Sequence, residues 1–158
     1  TAQGIDDSMN AHLPVVIDER LREFNLGDLE GMKFDDAVKR FPEQINNFWH
    51  HPDQYDPSSL HGETYEHVIK RGKDFAQEMA RCFDQDDDKV LAVSHGAALS
   101  AIMGGLLGYP LKDVRKRGGL SNTSLTILET TDKGKSFHPI VWNETDFLGR
   151  KLSKTDSL

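Results

Sequence analysis

The stretch KVLAVSHGAALSAIM (89–103) sets a histidine, His95, between an apolar run and a helix-like pattern. Val90 to Ser94 reads as a buried strand, and Ala98, Leu99, Ile102, Met103 and Leu106 mark the apolar face of a helix near 97–107. In open α/β sheets ligands gather where a strand hands over to a helix, and a helix N-terminus offers unpaired N–H groups to an anion. Gly96 lets the backbone turn tightly and lets a ligand approach. A histidine at this corner can donate to an anionic oxygen or move a proton near neutral pH. The competing reading is a structural histidine hydrogen-bonded at a strand end.

Other residues have similar chemistry in weaker settings. Glu23 stands among Asp18, Glu19, Arg20 and Arg22, where a carboxylate is ordinarily solvated. Glu30 reads as a loop residue, and Glu63 as an acid favoured in the first turn of a helix. Asn122 could hydrogen-bond at a cleft rim or close a turn. His50 and His51 are adjacent, so they point in different directions, and no third ligand is in register for a metal. VRKRGG (114–119) is a basic cluster in an acidic chain, read as a solvated helix end against the alternative of attracting an anionic substrate.

The elements that must position these residues follow from periodicity and breakers. ETYEHVIKRGKDFAQEMARCF (63–83) repeats apolar residues at helical spacing from Tyr65 to Phe83 and predicts the longest helix. FDDAVKRFPEQINNFWHH (34–51) predicts two short helices broken at Pro42, and PDQYDPSSLHG (52–62) a long surface loop. The β-branched run Val15 to Ile17 reads as a strand end or an extended segment leaving a helix, residues 24–34 as a loop, and the residues after Pro110 as a short helix. TSLTILET (123–130) and FHPIVWN (137–143) predict strands joined by the TDKGKS turn. Strands interleaved with helices indicate an α/β layered sheet.

The 158 residues suit one domain, 1–158, with a sizeable core, and 28% charged against 37% hydrophobic residues suits a globular protein. A net charge of −7 argues against a nucleic-acid partner, since phosphate backbones call for a basic face. No run approaches the roughly 20 apolar residues that span a bilayer, so no membrane partner is expected. The single cysteine, Cys82, excludes an internal disulfide and reads as a small core residue. The cytoplasm is the default compartment.

Taken together, several segments resemble the histidine phosphatase superfamily, the phosphoglycerate-mutase-like group. VLAVSHGAALSAIMGGLLG resembles its second histidine motif, and DERLREFNLGDLEGM (18–32) its Leu-x-Glu stretch with a later Glu-Gly. GETYEHVIKR (62–71) resembles the Gly-Glu-Ser/Thr opening of its long helix, LSNTSLTILE (120–129) its Asn-Thr-Ser strand entry, and WNETDFL (142–148) its closing segment. The resemblance implies a three-layer α/β sandwich with a mostly parallel sheet. It implies transfer of a phosphoryl group from a small phosphorylated metabolite to water through a phosphohistidine. By position, His95 is the second histidine that stabilises the transfer and Glu23 the acid that protonates the leaving oxygen. Gly96 and Asn122 fall at substrate-binding positions, and no cofactor or metal is expected.

The family's Arg-His-Gly motif, which carries the nucleophilic histidine on the first strand, has no counterpart before residue 13. The family's second arginine lies just upstream of a Thr-Ala pair, and this chain opens Thr1-Ala2. The expectation is that the nucleophile, both cage arginines and the first strand lie in a segment of about 50–60 residues outside this chain, on the scale of a strand–loop–helix unit. LHGET (60–64) imitates the motif, but DPSS precedes it instead of a strand, so His61 is expected on a loop near the cleft. A phosphatase is the reading preferred, with a phosphoglycerate mutase as the alternative in the same class. A non-catalytic fragment or phosphate-binding module is the rival from another class, and an unrelated α/β anion-binding domain is a third.

Overall fold

The computed structural model describes residues 1–9, 12–150, 153 and 156. Five α-helices and one antiparallel strand pair are joined by loops that contain short 3-10 turns. Helix α1 spans Ala2–Met9, α2 Phe34–Arg40, α3 Pro42–His50, α4 Tyr65–Cys82 and α5 Gly96–Leu106; strand β1 spans Leu125–Glu129 and β2 His138–Glu144. No helix among the described residues is long and apolar enough to cross a membrane.

Helices α2 to α5 lie where periodicity and breakers predict them. Pro42 ends α2 and occupies the first turn of α3, where its missing N–H costs nothing. Thr64 caps α4 by accepting the His67 N–H (3.3 Å). Helix α5 is built from small residues, and this lets other backbone come close. A Cβ on Gly72 of α4 would overlap Ile102 of α5, and one on Gly105 of α5 would overlap Ile69 of α4. A Cβ on Gly104 would overlap the carbonyl of Val114, so the segment after α5 is seated directly on the helix backbone. The main core gathers Phe24, Phe48, Tyr55, Tyr65, Val68, Ala97, Ala98, Ala101, Ile102 and Val114.

Strands β1 and β2 pair Leu125 with Glu144, Ile127 with Val141 and Glu129 with His138, with irregularities on both sides of Ile127. Asn143 lies at φ 51° in β2. Its N–H donates to Thr126 Oγ1 (3.0 Å) and its Oδ1 accepts the Ser121 N–H (2.8 Å), which ties the entry of β1 to the bulge. The connecting turn is built on Asp132, whose Oδ1 accepts the N–H groups of Lys135 and Ser136, both at 2.9 Å.

Three expectations need correction. Residues 89–94 form no ladder with a described strand, and Val90 and Leu91 are 44% and 55% exposed, so they are not a buried strand here. Of the two readings of the Val15–Ile17 run, the structure shows the extended segment leaving a helix and no strand end: it follows α1 unpaired, with Val16 and Ile17 more than 80% exposed. A strand is completed by its neighbours, and neither segment has one among the described residues. Cys82 is exposed. Helix α4, with 18 residues, is about 27 Å long and α5, with 11, about 16 Å, so the last turns of α4 overhang their partner. Residues 52–62 are no solvated loop: Pro52, Tyr55, Pro57 and Leu60 are buried and two 3-10 turns order the segment. The mostly parallel part of the expected sheet has no counterpart among the described residues, whose one ladder is antiparallel.

The close seating of α5 gives a direct test. Gly104→Ala should lower stability by about 1–3 kcal/mol, the usual cost of overpacking, because the Val114 backbone cannot rotate away. Gly4→Ala, in open space on α1, should be neutral or stabilising by up to about 1 kcal/mol. Urea denaturation with unchanged m-value reads both, and equal behaviour of the two variants would contradict the packing described.

Candidate active site

Glu23 and His95, 72 positions apart, meet at the N-terminus of α5. His95 is the N-cap residue, in extended geometry, and its carbonyl accepts the Leu99 N–H (2.8 Å). Its side chain does not cap the helix. The Glu23 carboxylate does so from another segment: Oε1 accepts the Ala98 N–H at 2.7 Å and Oε2 the Ala97 N–H at 3.2 Å. Oε1 also accepts the Phe24 N–H (2.9 Å). The N–H groups at the positive end of the helix are thus taken by the oxygens of the Glu23 carboxyl group. Ala97 and Ala98 are buried, Gly96 is half-buried and the His95 ring is exposed. A hydrogen-bonded structural histidine is not what His95 is here, because its ring makes no hydrogen bond to a described residue.

The segment carrying Glu23 has little regular structure, so something else must fix it. Arg71, in the buried face of α4, makes five hydrogen bonds to do so. Nη1 donates to the carbonyls of Arg20 (2.6 Å) and Arg22 (2.8 Å), and Nη2 to that of Glu23 (3.2 Å). Nε and Nη2 donate to the two oxygens of Glu63, at 2.9 and 3.0 Å. Glu63 closes the arrangement. Its N–H donates to the Asn25 carbonyl (2.7 Å), and its Oε2 accepts the Asn25 N–H (3.3 Å). Ser94, next to His95, donates its hydroxyl to the Leu21 carbonyl, so the histidine segment is tied to the same loop. Arg20 pins the loop from outside through Asp18 and Glu78, each at 2.6 Å.

The remaining candidates fall elsewhere. Asn122 lies in the exposed turn before β1, where its N–H donates to the Asp156 carbonyl. Glu30 accepts the Leu26 N–H (3.1 Å) and closes its own loop. His61 is exposed at φ 55°, with Nδ1 3.3 Å from Asp28. Its loop docks on residues 25–29, where a Cβ on Gly27 would overlap the Leu60 carbonyl. Arg71 and the pairing role of Glu63 were not singled out from sequence. The signal existed: Arg71 follows Val68 by three positions, on the apolar face of the helical pattern, where an unpaired charge is not tolerated.

An α/β chain that converges a carboxylate, a histidine and a helix N-terminus is equipped to handle an oxyanion. The profile of the histidine phosphatase superfamily (branch 1) matches residues 1–144, and the chain belongs to that superfamily. The solved structure of Bacillus stearothermophilus YhfR is similar with a TM-score of 0.78 and 29% identity, over 91% of this chain and 69% of that one. Glucosyl-3-phosphoglycerate phosphatase of Mycobacterium tuberculosis is 28% identical over 137 residues, 82% of this chain and 60% of the relative. A Bacillus subtilis phosphatase, PhoE, is 30% identical over 103 residues, 65% of this chain and 45% of that protein. The chain thus spans 45–60% of the length of these two curated relatives.

The clamp has a measurable acid limb. Burial pushes the Glu63 carboxyl up, but the Arg71 guanidinium and the Asn25 N–H outweigh it and hold the group below its ordinary 4.5. A carboxyl depressed in the folded state contributes its full stability above the unfolded value and loses it as pH falls through the folded one. The stability difference between wild type and Glu63→Gln should therefore be largest above about pH 5 and shrink as pH drops below that range. Arg71→Met, which strands the buried Glu63 charge, should cost about 3–5 kcal/mol at pH 7, and adding Glu63→Leu should recover part of it. Urea midpoints across pH 3–7 check all three; a pH-independent gap for Glu63→Gln would refute the clamp's charge.

Proposed function

We propose that the protein containing this chain is a phosphatase that hydrolyses a small phosphorylated metabolite through a phosphohistidine, with Glu23 and His95 as catalytic residues. The observation that carries this reading is the Glu23 carboxylate seated on the α5 N-terminus beside His95. At that corner the Ala97 and Ala98 N–H groups donate to the Glu23 carboxyl group, and beside it the exposed His95 imidazole has no hydrogen-bond partner among the described residues. That the Mycobacterium tuberculosis and Bacillus subtilis relatives are phosphatases supports the reaction class.

In this mechanism a histidine outside residues 1–158 attacks phosphorus in line. His95 and the Gly96 N–H stabilise charge on the equatorial oxygens, the main protein contribution to phosphoryl transfer. As the P–O bond to the leaving group breaks, Glu23 gives that oxygen its proton. Water then attacks the phosphorus of the phosphohistidine, Glu23 takes the water proton, and phosphate departs as the P–N bond breaks. Asn122 binds substrate at the rim.

The same reading extends to the sheet. We place the first strand, with its Arg-His-Gly motif, in the upstream segment, completing a mostly parallel sheet in a three-layer sandwich. The unpaired apolar residues Val15–Ile17 and Val90–Leu91 support that assignment, since they lack the neighbours that would cover them.

Residues 1–158 alone should hydrolyse p-nitrophenyl phosphate no faster than background, and a chain extended upstream through an Arg-His-Gly strand should turn over. In the extended chain His95→Ala should lower turnover about 10²–10⁴-fold with the fold retained. Glu23→Gln should cost about 10²-fold or more on an alkyl phosphate, whose leaving alkoxide needs a proton, and far less on p-nitrophenyl phosphate. Single-turnover phosphohistidine formation with both substrates is the measurement. Equal losses on both would show that Glu23 only holds the site together, and normal turnover by residues 1–158 would refute the external nucleophile.

A further inference from the structure

Helix α4 buries Tyr65, Val68, Arg71 and Gly72. Beside that face runs a groove of about 370 Å³, whose apolar lining is Ile69, Gly105, Tyr109 and Leu111. Gly105 and Tyr109 place it at the opposite end of α5 from Glu23 and His95. Its shape is fixed from within the chain. Ile69 occupies the space that a Cβ on Gly105 would need. Tyr109 is held by Lys116 over its ring (3.6 Å) and by Arg117, which donates to its hydroxyl (2.9 Å).

The charges that α4 brings to the groove divide into paired and unpaired. Lys70 meets Asp74 at 2.6 Å and so carries its own counter-ion. Glu66 and Lys73 also line the groove, and neither makes an ion pair or hydrogen bond with a described residue. They are seven positions apart, nearly two full turns, so they lie on one stripe of the helix about 10 Å apart along its axis. Their midpoint falls between Ile69 and Lys70, over the apolar lining.

An acid and a base set symmetrically about an apolar centre complement the same stripe turned end for end. We infer that this face of α4 docks a second copy of the chain. The twofold axis passes between Ile69 and Lys70, the two α4 helices run antiparallel, and Glu66 of each copy faces Lys73 of the other. A twofold contact is made twice, so these two residues supply two ion pairs. Glu66, Lys70 and Lys73, spaced by four and three, form a ridge that enters the opposing groove. Their aliphatic stems cover the apolar lining. The Lys70–Asp74 pair neutralises the two ammonium groups that approach each other at the axis. One helix face and its flanking turn bury less than about 1,200 Å², the size of transient complexes. The dimer is therefore weak and sensitive to salt. The inference is independent of the phosphatase reading.

Sedimentation equilibrium at about 5–200 µM covers the affinity of an interface of that size. The chain should pass from monomer toward dimer over this range, and about 0.5 M NaCl should weaken association several-fold. Glu66→Lys makes both unpaired positions positive, and Lys73→Glu makes both negative. Each variant alone should self-associate about tenfold or more weakly. Mixed in equal amounts they should associate at least as tightly as wild type, because every pair across the axis then joins opposite charges. The double variant Glu66→Lys/Lys73→Glu should dimerise like wild type, and it decides the matter where a single variant does not fold. A monomer throughout the range, or no association in the mixture and none in the double variant, overturns the proposal. Self-association that no charge variant alters also overturns it, and assigns the contact to another surface, such as the exposed Val16 and Ile17.

Discussion

The buried pair of Arg71 and Glu63 is the constraint on which the rest of the site depends. Residues 18–30 contain only two 3-10 turns, and segments of that kind do not hold a side chain to within a fraction of an ångström unaided. Arg71 converts α4 into their support by taking three consecutive-region carbonyls, from Arg20, Arg22 and Glu23, onto one planar group. A lysine at the same place has no fork to span them. The cost of burying that charge is met by Glu63, whose two oxygens are both used by Arg71. Buried pairs of this kind are often no more stabilising than apolar replacements. Its value here is geometric.

The clamp explains how Glu23 can serve as an N-cap for a helix it does not belong to. Helix caps are ordinarily local, supplied by the residue at the helix boundary. Here His95 occupies the boundary without capping, and the acceptor comes from residue 23. The imidazole is thereby released from a structural duty and left at the surface. The small residues of α5 contribute from the other side: Gly72 against Ile102 and Ile69 against Gly105 bring α4 and α5 close enough for one clamp to serve both the loop and the helix end.

What was legible in the sequence divides along the same physical line. Helices α2 to α5 were readable because their apolar spacing and their breakers are local. The partnership of Glu23 and His95 was not readable from spacing at all; only the resemblance of two motifs to one family joined them. Residues 89–94 have strand composition, yet strand formation is settled by what lies beside the segment, and composition does not encode that. Tyr55 and Leu60 were hidden by the prolines, aspartates and serines around them, which look like solvated loop while their apolar neighbours anchor the turns. Cys82 failed for a reason of length: a periodic face is buried only as far as its partner helix extends.

The two inward-turned arginines are held against the core by different forces. Arg71 and Arg115 both leave the solvent and both lie against the same core, one through α4 and the other through Val114. Arg71 returns its desolvation cost in full through carbonyls and a carboxylate, so it needs nothing further and works as scaffold. Arg115 has the faces of Trp49 and Phe48 for its cation and the Tyr65 hydroxyl beside it, and Nη1 has no hydrogen-bond partner among the described residues. Ring faces attract charge without accepting a directed hydrogen bond of comparable strength. Arg115 is therefore held mainly by stacking, which fixes its plane loosely, whereas Arg71 is fixed by directed hydrogen bonds that leave it one geometry.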